Sequence, residues 1–407
     1  MHYEVSIIIP TYNRYPLNLL SLQALEKQEF DLSKMEVILI DDMSTDDTHL
    51  LEKYQPPYRF KYIRHEHNSG LAKTRNTGIK NAKGKILIFM DAEIIVDPQF
   101  VQCHYKKHLE NQNAIVTGGN ILSFYSTLFP TFNDFQISEL SYLLNKRKMF
   151  KETLRERVQK DIRDASSLIK SLSEPIQFVS SEDIRNINLL NDFSIPKESG
   201  WFNKVITDVT SFDDCQIPWL LCLGLNHSVK KEFVERVEPY DENFKAYGLE
   251  DYEFGYRLFK AGGRFIADPN ITIYHQEHPA KRERATDECE NLVQFIEKHP
   301  EIGVAIYSIS YINKQDFPFM NNVLKEHKFL CQHFPNMYNH FKTALFRMLH
   351  QIPLQKSTNK TPKKLLRKSG IKRGSKWKAE IFSERDIIEA NGMYPHLIQL
   401  FDMLAKK

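Results

Sequence analysis

Two carboxylates one residue apart, Asp91 and Glu93, follow directly on the apolar run Ile86-Leu87-Ile88-Phe89-Met90. Acids converging at the end of a strand make a site for a hard divalent cation. Residues two apart on an extended backbone point the same way, so both are expected to face one ion. A second acidic pair, Glu250-Asp251, opens a stretch in which Tyr252, Tyr256 and Phe259 recur at helical spacing. At a helix N-terminus the macrodipole favours negative charge, which suits simple capping and equally a carboxylate held ionised at the mouth of a cleft. His275 ends the run Ile271-Thr272-Ile273-Tyr274, and His278 competes with it nearby. Neutral imidazole is a normal partner of carboxylates around Mn²⁺.

The elements that must hold these groups alternate between strand and helix. Val5–Ile9, Val37–Ile40, Phe60–Ile63 and Ile86–Met90 read as strands, the first closed by Pro10. Leu17, Leu20, Ala24 and Leu25 recur at helical spacing, Ser44–Thr48 offers N-cap residues, and Leu71–Ala82 reads as a helix. Such alternation implies β-α-β units and a mostly parallel sheet. Ligands then bind beyond the carboxyl ends of the strands. The loops gathered there are Pro10–Arg14, Asp41–Ser44, Asn68–Gly70 and Asp91–Glu93, rich in Asp, Asn, Thr and Tyr. Four such loops on one edge form the pattern of a nucleotide pocket. Neither a G-x-G-x-x-G nor a P-loop follows the first strand. Phosphate charge is therefore expected to be met by the cation at Asp91 and Glu93.

Pro98–Leu109 reads as a helix and Ile115–Gly119 as a strand. The stretch 133–172 changes character to a helical insertion, placed within about residues 125–215. Trp219–Val229 reads as a strand or hairpin edge, Lys231–Val237 as a helix, and Arg264–Ala267 and Ile271–Tyr274 as two short strands. Past about Pro300 the alternation stops, and Asn322–Phe334, Met337–His350 and Glu384–Ala405 look helical. At 407 residues the chain exceeds the ~250–300 of one core. The expected division is a domain at 1–300 and a helical C-terminal region at 301–407.

Five scattered cysteines without a C-x-x-C pair fit reduced thiols. No secretory signal or membrane-spanning run is read in the sequence, and a cytoplasmic location is expected, with peripheral contact at the inner face of the membrane as an option. The net charge of +3 conceals a segment, Lys356–Lys378, that holds ten lysines and arginines and no acid. Such a run makes a solvated, mobile face or docks on an anionic membrane or acidic partner. There is no aromatic ladder of the kind that single-stranded nucleic acid prefers, so no nucleic-acid partner is expected.

In their order and spacing, Ser6–Arg14, Ile40–Asp46, Asn68–Asn76, Asp91-Ala92-Glu93 and Gly248–Leu258 resemble glycosyltransferase family 2, inverting enzymes of the GT-A fold. The resemblance covers about residues 3–120 well and 218–280 fairly well. It implies an α/β fold, a GT-A type Rossmann-like, mostly parallel sheet flanked by helices. It also implies a UDP-sugar donor, Mn²⁺ or Mg²⁺, and a glycan, lipid-linked or peptide acceptor. By resemblance Pro10, Thr11, Tyr12, Asn13, Asn68 and Arg75 line the nucleotide site, and Asp42 takes the uracil edge. Asp91 lies near ribose and metal, and Glu93 stands where the family has its second metal-binding Asp. His275 completes the metal site, Asp251 is the base and Glu250 its neighbour on the acceptor side. Trp201, Trp219 and Asn226 are candidates to line the acceptor cleft.

Two other readings compete. A non-catalytic scaffold would keep the fold and bind an anionic partner or membrane through its basic segment; the Glu250-Asp251 pair argues against it and Asp-x-Glu mildly for it. A nucleotidyltransferase would be expected to carry a Gly- and Arg-rich loop where Pro10-Thr11-Tyr12-Asn13 stands.

Overall fold

The computed structural model describes residues 3–160, 162–196, 205–206, 212–245, 247–279, 284–312 and 317–407. The chain divides into two compact units. One comprises Met1–Ile206, Trp219–Lys245 and Asp251–Lys281; the other comprises Thr207–Pro218, Ala246–Glu250 and Arg282–Lys407.

The first unit is built on a sheet whose strands are β1 (Val5–Thr11), β2 (Met35–Asp41), β3 (Arg59–Arg64), β4 (Ile86–Met90), β5 (Ile94–Val96), β6 (Ala114–Phe124), β9 (Ser194–Pro196), β10 (Asn226–Lys230) and β11 (Arg264–Gln276). β7 (Thr127–Leu128) and β8 (Ile176–Gln177) form a separate ribbon. The main order is β3-β2-β1-β4-β10-β6-β11-β5, with β9 on β6. β1 pairs in parallel with β2 and β4, β2 with β3, and β6 with β11. Every residue of β1, β2 and β4 is buried, as expected for strands covered on both faces.

Three expectations change in this unit. Trp219–Val229 is not one strand: Pro218–Leu221 makes a 3-10 turn, and β10 then runs antiparallel between β4 and β6. Arg264–Tyr274 is one strand, not two, with a register shift between Asp268 and Thr272. Pro269 lies in that gap, has no N–H to give the ladder, and so makes a bulge without ending the strand. After Ser44 the chain forms a 3-10 helix, Asp47–Lys53, with Asp46 accepting from the Thr48 N–H. The insertion is helical at Asp134–Lys146, Lys148–Val158 and Ala165–Lys170. Its first helix opens on a capping box between Asn133 and Gln136.

Three buried histidines also belong to this core. His104 and His108 both reach the Ser228 hydroxyl, at 2.8 and 2.7 Å, and His227 stacks on Phe89 at 4.7 Å. Burial pushes them down to about 4, about 3 and about 3 respectively. The unfolded chain therefore binds protons that the fold refuses. Stability is complete above the ordinary value of 6.5 and falls as pH drops below it toward the folded values. Each histidine alone contributes a slope of about 1.4 kcal/mol per pH unit in that window. Urea unfolding at pH 7.5 and 5.5 is expected to show a loss of at least ~2 kcal/mol. Equal stability at the two values would contradict the burial of these rings.

The second unit is helical, with Arg284–Lys298, Phe317–His333, Asn339–Lys356, Lys376–Asn391 and Pro395–Lys406, and Leu345, Met348, Leu349, Phe401 and Leu404 are fully buried in it. The expected single helix Glu384–Ala405 is two, because Gly392 adopts φ +75° at the C-cap of the first. No described helix is long and apolar enough to cross a membrane.

Candidate active site

The loops after β1 and β2 are tied together by their own polar groups. Asn13, at φ +52°, donates its N–H to Ser44 Oγ at 2.9 Å and accepts from the Thr45 N–H at 2.7 Å. Asp41 accepts from the Ser44 N–H at 2.8 Å and the Tyr62 hydroxyl at 2.7 Å. Asp42 accepts from the N–H groups of Ser69 and Gly70, at 2.8 and 2.9 Å, and lies 2.8 Å from His65 Nδ1. Asn68 Nδ2 donates to the Asp42 carbonyl at 3.1 Å. Gly70 sits at φ +86° immediately before the helix Leu71–Asn81, where a side chain would be strained. Asp42 thus fixes a third loop against the second.

Among the expected nucleotide residues, Pro10 is buried inside β1, and the Thr11 hydroxyl accepts from Asn18 Nδ2 at 3.2 Å. Tyr12 is 38% exposed; Asn13 and Asn68 are exposed as well, with their side chains held by the Thr45 N–H and the Asp42 carbonyl. A half-open tyrosine offers a face on which a planar base can stack.

Asp91 and Glu93 are not on an extended backbone. The chain turns between β4 and β5, with the Ile94 N–H donating to the Asp91 carbonyl at 3.2 Å. The two carboxylates consequently meet different partners. Glu93 Oε2 accepts from Arg14 Nε at 3.2 Å, and Glu93 Oε1 lies 2.9 Å from His278 Nε2 and 4.0 Å from His275 Nε2. β11 pairs antiparallel with β5, matching His275 to Ile94, and the Gln276 N–H donates to the Glu93 carbonyl at 3.0 Å. That pairing brings the two histidines beside the acid. Glu277 Oε1 lies 3.4 Å from His275 Nδ1, and Gln136 of the insertion donates to the His278 carbonyl at 2.9 Å. Among the described residues Glu93, His275 and His278 form a group whose candidate ligand atoms all lie within 4.8 Å of one another. Burial pushes the Glu93 carboxyl up, but Arg14, the His278 hydrogen bond and both imidazoles outweigh it and hold it well below its ordinary value.

Asp91 faces elsewhere. Its Oδ1 is 3.3 Å from Nη2 of Arg75, a guanidinium buried to 1% exposure and set over the Tyr240 ring at 5.3 Å. A Cβ on Gly224 would lie 1.9 Å from that same Nη2, so a side chain here would displace the Arg75 guanidinium. The Gly224 N–H in turn donates to Asp251 Oδ2 at 2.9 Å. One continuous line therefore runs from Asp91 through Arg75 and Gly224 to Asp251, on the helix Glu250–Lys260. Glu250 is buried at 4% exposure.

Two cleft candidates are core residues. Trp219 is fully buried, edge-on to Tyr252 and Tyr256 at 5.8 Å each, and Asn226 is buried with its Oδ1 3.1 Å from His104 Nε2. Trp201 lies outside the described residues. Arg14, Gly224 and Tyr240 were missed as site residues. A signal exists for the second histidine, since His275 lies near the end of β11 and His278 two residues beyond that end, three positions apart.

The sequence model of Glycosyl transferase family 2 matches residues 6–164, and that of the N-terminal domain of galactosyltransferase matches residues 207–279. The chain is 31% identical over 303 residues to the uncharacterised glycosyltransferase YfnE of Bacillus subtilis (strain 168), covering 74% of this chain and 71% of that one. It is 26% identical to chondroitin synthase of Escherichia coli, covering 70% of this chain and 36% of that protein. Residues 1–349 of S. aureus TarS superpose with a TM-score of 0.46 at 15% identity, covering 99% of this chain and 90% of that structure.

Proposed function

Since the chain belongs to glycosyltransferase family 2 and is a glycosyltransferase, we propose that it moves a sugar from a UDP-sugar to an acceptor hydroxyl with inversion, using a divalent metal and Asp251 as base. The observation that carries this reading is the Glu93–His275–His278 group beside the nucleotide-type edge. One carboxylate and two imidazoles suit Mn²⁺, with Mg²⁺ a poorer match to the nitrogen donors. These three residues would hold the ion. Bound there, it would supply positive charge for the departing diphosphate.

The remaining work falls to the chain's own groups. Tyr12 stacks on the base, and the loop set fixed by Asp42 shapes the pocket for it. Arg75 holds Asp91 in place for a ribose hydroxyl. Asp251 takes the proton from the acceptor hydroxyl as that oxygen attacks the anomeric carbon from the face opposite the leaving UDP. Its second oxygen is kept in register by the Gly224 N–H. The acceptor is a glycan, lipid-linked sugar or peptide, and a location at the inner face of a membrane remains part of this proposal.

Thermal unfolding with UDP, GDP and dTDP, each with and without Mn²⁺, tests donor and metal together. A nucleotide at about 100 times its Kd adds ~2.7 kcal/mol of stability. The expected result is a shift with UDP that grows with Mn²⁺ and is smaller with the other two. Equal shifts with all three nucleotides would remove UDP from the proposal, and no effect of Mn²⁺ would remove the metal.

A further inference from the structure

In the second unit, the stretch from Lys360 to Arg373 exposes seven lysines and arginines, and no acid occurs between residues 357 and 379. None of the seven has an ion-pair partner among the described residues; the nearest basic neighbour that does is Lys376, 3.7 Å from Glu380. Unpaired cations at this density repel one another, so the surface is electrostatically costly unless an anion meets it.

The stretch is a built surface. Leu365 is fully buried and Ile371 is 2% exposed, so the apolar side chains anchor it to the helices beneath. Gln355, itself buried, accepts from the Lys363 N–H at 3.2 Å. Gly370 and Gly374 lie at φ +84° and +73°, and Lys364 at +56°, which fixes the turns that space the charges. Trp377 is half-buried with the Arg347 guanidinium 5.2 Å from its ring.

That construction discriminates between partners. An interfacial helix needs a long apolar face to enter a bilayer. Here the one helix inside the stretch is Leu365–Lys368, and none of the exposed large apolar side chains falls between residues 356 and 378. The charges are held on turns at fixed spacing, which fits a flexible chain carrying anions at intervals. We propose that this surface binds an acceptor polymer bearing repeated carboxylate or phosphate groups, so that the growing glycan is held by its own charge. The acceptor role rests on the glycosyl-transfer reading above; the polyanion binding does not.

The test uses the full chain and three probes: hyaluronan oligosaccharides, linear polyphosphate, and phosphatidylcholine vesicles containing phosphatidylserine. The expected result is binding of both soluble polymers, with log K falling steeply against log salt. Replacing Lys363, Lys364, Arg367 and Lys368 together by serine is expected to weaken polymer binding at least tenfold and to reduce the salt slope by about 3. The UDP-dependent thermal shift stays unchanged, which also reports that the variant is folded. A second variant, Lys372→Ser with Arg373→Ser, covers the case in which the first does not fold. Vesicle binding without polymer binding would overturn the proposal in favour of a membrane surface. No binding in low salt, or equal binding by the variants, would overturn it outright. If polymer binding holds while no nucleotide shift is seen, the polyanion site stands and the donor reading falls.

Discussion

Asp251→Asn is expected to lower kcat by ~10²–10⁴-fold, the usual contribution of a positioned base, or about 2.7–5.5 kcal/mol in the barrier. The substitution is informative because it keeps the size and shape of the side chain. An asparagine Oδ1 still accepts from the Gly224 N–H that Asp251 meets at 2.9 Å, while its amide nitrogen gives up the bond that the other carboxylate oxygen accepts from the Tyr252 N–H at 2.8 Å. What the amide lacks is the capacity to take a proton at neutral pH. KM for the donor and the UDP-induced thermal shift should therefore match the wild type while turnover collapses. Wild-type turnover in a folded Asp251→Asn preparation would remove this residue from the proton transfer.

The second large effect is expected at Glu93. Glu93→Gln keeps the shape, and an acceptor oxygen for Arg14 or for His278 but not for both, and removes the charge that Arg14 and the two imidazoles surround. Loss of an outer-shell partner typically weakens metal binding ~10–100-fold, and loss of a direct ligand should exceed that. Titration calorimetry with Mn²⁺ reads the affinity directly. His278→Ala should cost more affinity than His275→Ala, because His278 lies 2.9 Å from the carboxylate and His275 4.0 Å. An unchanged Mn²⁺ affinity in Glu93→Gln would sink the proposed metal site. The depressed Glu93 carboxyl also has a pH consequence of definite sign. Its contribution to stability is present above its ordinary value of 4.5 and is lost only as pH falls toward the lower folded value.

The parts of the fold that were legible in the sequence are those set by local pattern. Ile86–Met90 is a strand with the expected bounds, and Lys231–Val237 a helix with the expected bounds. Both carry their own signal in residue type and spacing. What could not be read depends on who pairs with whom. Ile94-Ile95-Val96 is a three-residue strand defined by the β11 residues laid against it. That pairing converts the expected Asp91–Glu93 alignment into a turn with two separate partners. Trp219 has the chemistry of a sugar platform, but two tyrosines of the same amphipathic helix enclose it. For His278, residue type was visible, but the choice between it and His275 required the three-dimensional distance to Glu93.

Glu93 and His278 are separated by 185 positions along the chain, whereas Arg14 and Glu93 are separated by 79. At a synthesis rate of about 5–20 residues per second, the acid leaves the ribosome roughly 10–40 s before its imidazole partner. During that interval the loops after β1, β2 and β4 can assemble from residues already made, with Arg14 on hand beside Glu93 but neither His275 nor His278. Closing so distant a pair is also among the slow steps of folding, since non-local contacts form only after their loop entropy has been overcome. The chain thus spends its nascent life without the carboxylate–imidazole group, and under the proposed metal site the appearance of Mn²⁺ affinity would be a clock for completion of the sheet.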